Sequence, residues 1–204
     1  MAAPTSNVKI TGPWLDVDFY PQFLTPTIAE LLYTKLEKIL PHAKGRKAVL
    51  IGSAGLVYKF NIRGQTSERA VIPWDLACGC GSDICLCSIL PILLTVKKYV
   101  DNIAGATTTV LVIQRYHDGT SGIAPHRDKE MVLGTKICGV SLGATRKLVF
   151  ERTGCDPLSL TLNSGSLYIM NPPTNSYWSH SVVKEPHIKQ SRISLTFRNY
   201  AEPS

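Results

Sequence analysis

Apolar residues recur at helical spacing in two stretches of the chain. Ile28, Leu31, Leu32, Leu36, Ile39 and Leu40 share one face of a 3.6-residue period, with Thr25 placed as a cap and Pro41 closing the run. A second run has Pro91 near its start and Ile92, Leu93, Val96, Val100 and Ile103 along one side. Elsewhere the period is two. The segment AVLIGSAGLVYKFNI (48–62), β-branched, aromatic and punctuated by glycine, predicts two short strands around a turn. From Thr107 onward, TTTVLVIQRY, KICGVSL, RKLVFER, LSLTLN, SLYIM, SYWSHSVV and RISLTFRNY are short runs bounded by glycine, proline or asparagine, which predict an antiparallel sandwich or barrel. Residues 1–20, with Pro4 and Pro13 among scattered polar positions, read as an extended lead-in. The expected fold class is mainly β (α+β), with two N-terminal helices on one sandwich. It forms a single domain over 21–200, with its strand-rich core at 107–199.

Composition narrows the class. The 204 residues are 44% hydrophobic and 18% charged, enough apolar surface for a core and too little charge for a disordered chain. Twenty-two lysines and arginines against 15 acids leave +7, which favours a polyanionic partner but by itself sets only non-specific attraction. The most apolar stretch, Ile84 to Val96, is broken by Ser88 and Pro91 and falls short of the ~20 residues of a spanning helix, so no membrane partner is expected. The start MAAPTSNVK lacks the basic-then-apolar pattern of a secretion signal, and the six cysteines therefore suggest a reducing compartment.

Four of those cysteines crowd into a segment unlike its surroundings, 74–88. Cys78 and Cys80, then Cys85 and Cys87, flank the turn GSDI. As a hairpin they would project together and grip a tetrahedral zinc; the alternative is a glycine-rich insert that does not fold. Cys138 and Cys155 read as core and loop thiols.

His126 and Asp128, in PHRD, stand two residues apart, so on a strand both point to one face. Alone, the pair fits a solvated loop equally well. His180, on a later strand, is a candidate third ligand, and two imidazoles with one carboxylate form the facial triad of non-haem Fe(II) oxygenases. Such a centre leaves positions for a chelating cosubstrate and dioxygen, whereas a closed zinc site would want a fourth protein ligand. Arg192 and Arg198 share a strand face with Ser194, and Gln114 and Tyr116 alternate on another strand. Guanidinium suits a buried carboxylate, although either arginine alone is explained by a surface acid.

Taken together, VLVIQRYHDG, IAPHRDKE, VSLGATRKLVF, GSLYIMNPPTNSYWSHSV and RISLTFR follow the order and spacing of the AlkB-type dioxygenases. The chain resembles most the members that repair double-stranded DNA, over nearly all of 107–199 and more loosely over 20–75 through AGLVYKF. The resemblance implies a double-stranded β-helix, a jelly roll buttressed by helices. It implies Fe(II) on His126, Asp128 and His180, with 2-oxoglutarate and O2 as cosubstrates. Arg192 would take the distal carboxylate of 2-oxoglutarate with Tyr116, and Arg198 would lie near its chelating end; Gln114 and Ser194 occupy further family positions in that site. The implied reaction removes N-alkyl lesions of the 1-methyladenine and 3-methylcytosine type from DNA, releasing formaldehyde, succinate and CO2. A flipped base would meet Tyr58 and Phe60, which are otherwise core aromatics, and Glu130 matches a further pocket position. Trp178 reads as packing. The implied enzyme is a monomer of the nucleus, or alternatively the cytoplasm.

Several departures qualify the implied substrate. Gln114 and Ser194 stand where asparagines are usual, and Lys129 replaces an acid. The segment PHAKGRKAV is short and offers no aromatic where double-strand repair members carry a wedge, and KEPHIK dilutes Lys184 and Lys189 with Glu185. The Cys-rich insert is absent from the family. Without a wedge, RNA or single-stranded DNA becomes the alternative target of the same chemistry. A non-catalytic nucleic-acid-binding module is the second alternative.

Overall fold

The computed structural model describes residues 7–40, 42, 46–53, 57–62, 65–74 and 86–200, without the side chains of 46–47, 57–62 and 65–70. In chain order the elements are β1 (Val8–Gly12), β2 (Leu15–Tyr20), α1 (Pro26–Ile39), β3 (Arg46–Gly52), β4 (Val57–Ile62), β5 (Gln65–Ala70), β6 (Ile72–Pro73) and α2 (Leu90–Ala104). Then follow β7 (Val110–Tyr116), β8 (Ile123–His126), β9 (Ile137–Gly143), β10 (Arg146–Glu151), β11 (Leu158–Leu162), β12 (Leu167–Met170), α3 (Thr174–Tyr177), β13 (Ser179–Val182) and β14 (Arg192–Arg198).

Alternation builds two packed layers. An eight-stranded sheet runs β1-β2-β12-β9-β14-β7-β3-β6, a four-stranded sheet runs β11-β10-β13-β8, and β4 pairs with β5 apart from both. On β14, Ile193, Leu195 and Phe197 join the helices' Leu32, Leu36, Leu93 and Val96 in one core. The opposite face of the large sheet meets the small one through Val17, Tyr116, Tyr168, Leu148, Phe150 and Trp178. Burying each large aliphatic side chain is worth about 1.5–3 kcal/mol, so the helices hold the sheet from outside and leave its inner face for chemistry.

Both helices start and stop where local chemistry dictates. The Thr25 hydroxyl accepts from the backbone N–H of Ile28 at 3.4 Å, proline occupies the first turn of each helix, and α2 ends at Gly105 with φ 60°. The polar anchor of α1 is Glu37. Arg115 of β7, buried, donates from Nε to both Glu37 oxygens at 3.0 Å, and the Ser191 hydroxyl donates to the same carboxylate at 3.0 Å. Among the described residues no helix is long and apolar enough to cross a membrane.

Three expectations are corrected. The supposed lead-in is partly sheet: β1 and β2 form a hairpin whose Leu15, Val17 and Phe19 are buried while β2 pairs with β12. The strands within 48–62 are not each other's partners. The consecutive buried residues Val49, Leu50 and Ile51 make β3 a sheet-interior strand beside β7, and β4 pairs instead with the polar segment QTSERA of β5. SYWSHSVV begins with the last two residues of the short helix α3, and a further strand, β8, precedes Asp128. Cys78, Cys80 and Cys85 lie outside the described residues, and Cys87 falls in the turn before α2. Cys138 is buried in β9, its thiol pushed up to about 12 by burial, and Cys155 is half-buried in a turn.

Burial pushes the Glu37 carboxyl up, but Arg115 and Ser191 more than reverse this and hold it below the usual range. Replacing Glu37 by Ala leaves a buried guanidinium without its counter-charge and should cost about 3 kcal/mol in denaturant unfolding. A depressed carboxylate stabilises above its unfolded pKa and loses this as pH falls through the folded one. The gap between parent and variant should therefore narrow below about pH 4.3.

Candidate active site

The small sheet sets two imidazoles face to face. His126 ends β8 and is the register partner of His180 on β13; the ring centroids are 4.4 Å apart and tilted by 45°. Asp128 lies two residues beyond the strand and is fixed by α3: its N–H donates to Asn175 Oδ1 at 3.0 Å, and Asn175 Nδ2 donates to its carbonyl at 2.8 Å. One ligand atom from each of His126, Asp128 and His180 lies within 4.8 Å of the others. His126 Nε2 is 3.7 Å from Asp128 Oδ1, while its Nδ1 is 2.9 Å from the Ala124 carbonyl. A donating Nδ1 leaves the Nε2 lone pair for a cation.

Protonation suits ligation. Burial pushes His180 down to about 4 against the pull of Asp128, with His126 and Arg198 adding to the depression, so the ring is neutral at pH 7. Its Nδ1 is buried without a hydrogen-bond partner among the described residues. Burial would raise the Asp128 carboxyl, but Arg198, His180 and His126 together hold it below the usual range; Arg198 Nη1 is 2.9 Å from Oδ1. Two imidazoles and a carboxylate, with no fourth ligand in the cluster among the described residues, suit an open Fe(II)-type centre better than closed zinc.

Beside the cluster lies a cavity between the sheets. Its wall is the inner face of β14, Arg192, Ser194, Thr196 and Arg198, with Gln114 and Tyr116 from β7 in register with Ser194 and Arg192. Arg192 is 2% exposed; its Nε donates to Ser141 Oγ at 2.9 Å, and its Nη1 has no hydrogen-bond partner among the described residues. Its guanidinium sits 5.2 Å from the Tyr116 ring centroid, and the Tyr116 hydroxyl donates to Gln114 Oε1 at 3.2 Å. A buried guanidinium nitrogen without an acceptor is costly, and a carboxylate is the group that satisfies it. Tyr168 of β12 closes the far side with its ring laid over Gly139 of β9.

Outside the ligands an open groove of about 750 Å³ runs past Arg127, Met131, Leu133, Pro172 and Ser176. Lys129 is exposed at its rim, away from the inner cavity. Glu130 is half-buried and lines neither groove nor cavity, so the structure does not bring it to the site. Tyr58 and Phe60 lie on β4, and their side chains are outside the described residues. Trp178 is 1% exposed, as packing requires. Sequence reasoning missed Thr196, Ser141, Tyr168 and Asn175. Thr196 was available from the alternation that exposed Ser194, whereas the other three depend on long-range pairing.

The family model of the 2OG-Fe(II) oxygenase superfamily matches residues 82–198, a span holding all three clustered ligands and both arginines. The chain belongs to this superfamily. Its members' reactants are Fe(II), 2-oxoglutarate and O2, and the neutral His180 and unpartnered Arg192 Nη1 fit the first two. This oxygenase is 33% identical over 168 residues to the DNA oxidative demethylase ALKBH2 of Mus musculus, covering 77% of the chain and 62% of that protein. The Homo sapiens counterpart is 34% identical, with 77% and 57% covered. The alpha-ketoglutarate-dependent dioxygenase alkB homolog 3 of Rattus norvegicus is 32% identical over 127 residues, 56% of the chain and 43% of the relative. The oxygenase thus spans less than two thirds of the length of these relatives. Its jelly-roll fold is shared with the solved structure of OsALKBH1, at a TM-score of 0.54 and 13% identity over 94% of this chain and 99% of that one.

A methyl group on Gly139 would lie 2.2 Å from Tyr168 Cε1. Gly139→Ala in the oxygenase should therefore cost about 2 kcal/mol and lower the melting temperature by roughly 6 °C. Adding Tyr168→Leu should recover most of that loss; no recovery would mean the ring contact is not its cause.

Proposed function

We propose that this oxygenase is an Fe(II)/2-oxoglutarate-dependent oxidative demethylase of nucleic acid, acting on N-methyl lesions of the 1-methyladenine and 3-methylcytosine type in DNA. His126, Asp128 and His180 hold the ferrous ion. The chemistry supplied at that site would be O2-driven oxidation of 2-oxoglutarate to succinate and CO2, coupled to hydroxylation of the methyl group, which would leave as formaldehyde. The remaining work belongs to the chain. Arg192 receives the distal carboxylate of 2-oxoglutarate, oriented by Ser141 and stacked on Tyr116. Arg198 keeps Asp128 ionised. Gln114, Ser194 and Thr196 give the cavity wall its polar contacts, and the two sheets exclude bulk water around them.

The groove beside His126 receives the base, and Tyr58 and Phe60 sandwich it; Glu130, off the groove, is assigned no contact. The single observation that carries the reading is the unpartnered Nη1 of buried Arg192 in the cavity that also holds the His-Asp-His cluster. The absence of an aromatic from PHAKGRKAV favours an unpaired strand, DNA or RNA, over intact duplex. Nuclear residence and a monomeric state complete the proposal, and imaging of tagged protein and light scattering test them.

Purified protein given Fe(II) and 2-oxoglutarate should release formaldehyde from methylated oligonucleotides, and single-stranded and paired substrates at one salt concentration rank the targets. His126→Ala should abolish turnover while leaving oligonucleotide affinity within about threefold, since phosphate contacts supply most of it. Arg192→Gln should raise the KM for 2-oxoglutarate by about 10- to 100-fold, the worth of a charged hydrogen bond. Iron-loaded protein that turns over no methylated nucleic acid would instead support the binding module.

A further inference from the structure

We propose that the β1–β2 turn and α3 form a stacking platform for an unpaired nucleotide flanking the target base, with Trp14 and Tyr177 supplying the rings and Arg152 the charge. The proposal rests on the nucleic-acid reading above and names the form of the substrate, a single strand.

Gly12 and Leu15 are register partners, which makes Pro13 and Trp14 the two turn residues. Trp14 has φ 63°, a left-handed conformation taken by no other non-glycine residue among those described. Bulky side chains rarely adopt it, and such outliers gather at functional sites. The turn is pinned. The Pro13 carbonyl accepts from the indole Nε1 of buried Trp178 at 2.9 Å and from Arg152 Nη1 at 2.8 Å. So held, the Trp14 ring stacks on Tyr177, with centroids 5.0 Å apart and planes 21° from parallel, and the Arg152 guanidinium lies 5.5 Å from the Tyr177 centroid.

The stack faces water. Trp14 is 55% exposed and Tyr177 43% exposed. The hairpin does not need it as an anchor, because Leu15, Val17 and Phe19 are buried and β2 is paired to β12. Arg152 makes no ion pair among the described residues, nor does Arg127, whose Nη1 donates to the Ser176 carbonyl of α3 at 2.7 Å. Asp16, on the same hairpin, is already paired with Lys9 at 2.5 Å. The platform also continues into the groove: Asn175 and Ser176, from the same short helix as Tyr177, line it together with His126 and Asp128.

Flat exposed rings beside unneutralised guanidinium groups suit a polyanion with accessible bases, and stacking of this kind tolerates any sequence. A duplex offers no free base face to Trp14.

The test uses the full chain and a short unmethylated deoxyoligonucleotide, single-stranded or annealed, with affinity read by fluorescence anisotropy. Trp14→Leu and Tyr177→Leu should each weaken single-strand binding about 5- to 100-fold and leave duplex binding unchanged. Trp14→Phe, which keeps a ring, should bind within about threefold of the parent. Arg152→Gln should reduce the salt slope of single-strand binding by about one. Both leucine variants binding like the parent would overturn the platform. So would a parallel loss of single-strand and duplex affinity accompanied by a fallen melting temperature, which marks structural damage. Platform variants that lose single-strand binding in a protein that demethylates nothing would refute the demethylase alone. Leucine variants that bind normally in a protein that demethylates a methylated nucleoside would refute the platform alone.

Discussion

Charge buried between two sheets has to be answered by something, and this constraint organises the molecule. Among the described residues, three guanidinium groups lie in that interior. Arg146 is fully answered by protein: it donates to the carbonyls of Asp118 at 3.1 Å, Ser121 at 2.8 Å and Val183 at 2.5 Å, and lies 3.3 Å from a Glu185 oxygen. Arg198 faces the Asp128 carboxylate. Arg192 keeps a nitrogen in reserve. The same side chain thus appears as a fastener, as a partner to an acid, and as a receptor. What separates the roles is whether the fold has supplied the acceptor or left that to a ligand.

The fastening by Arg146 has a local effect beyond stability. Gly119 and the segment after β13 exchange backbone hydrogen bonds, Glu185 N to Gly119 O at 2.7 Å and Gly119 N to Ile188 O at 2.8 Å. A side chain at Gly119 would collide with the Glu185 carbonyl, 1.8 Å from an added Cβ. The loop following His180 and β13, with its mixture of Lys184, Glu185 and Lys189, is therefore tied down at this end.

Much of this could be read along the chain, and the failures have physical reasons. Alternation in RISLTFR placed both arginines and Ser194 on one face, and the cap at Thr25 and Pro91 in the first turn of α2 bounded the helix starts closely. Alternation does not say which face is inward, so Tyr168 and Ser141 passed unnoticed until the pairing of β12, β9 and β14 put them against the cavity. β8 is four residues long and contains Pro125, too short and too irregular to register as a strand, although it carries His126. LDVDFY has a clear period of two, yet the prolines before it suggested a lead-in. QTSERA is polar up to its final Ala70, and only its backbone pairing with β4 identifies it. The spacing of His126 and Asp128 was legible; the approach of His180 to within ligating reach is a property of sheet register, which no local pattern encodes.

The amide of Asn175 has one last implication. Asp128 belongs to no ladder, so its place is fixed by two hydrogen bonds to a residue of a helix only four residues long. Tyr177 stands at the outer end of that helix, and Asn175, two residues before it, holds the Asp128 backbone, while Arg198 faces the carboxylate itself. The exposed Tyr177 ring and the backbone of Asp128 therefore share one support, a helix of four residues.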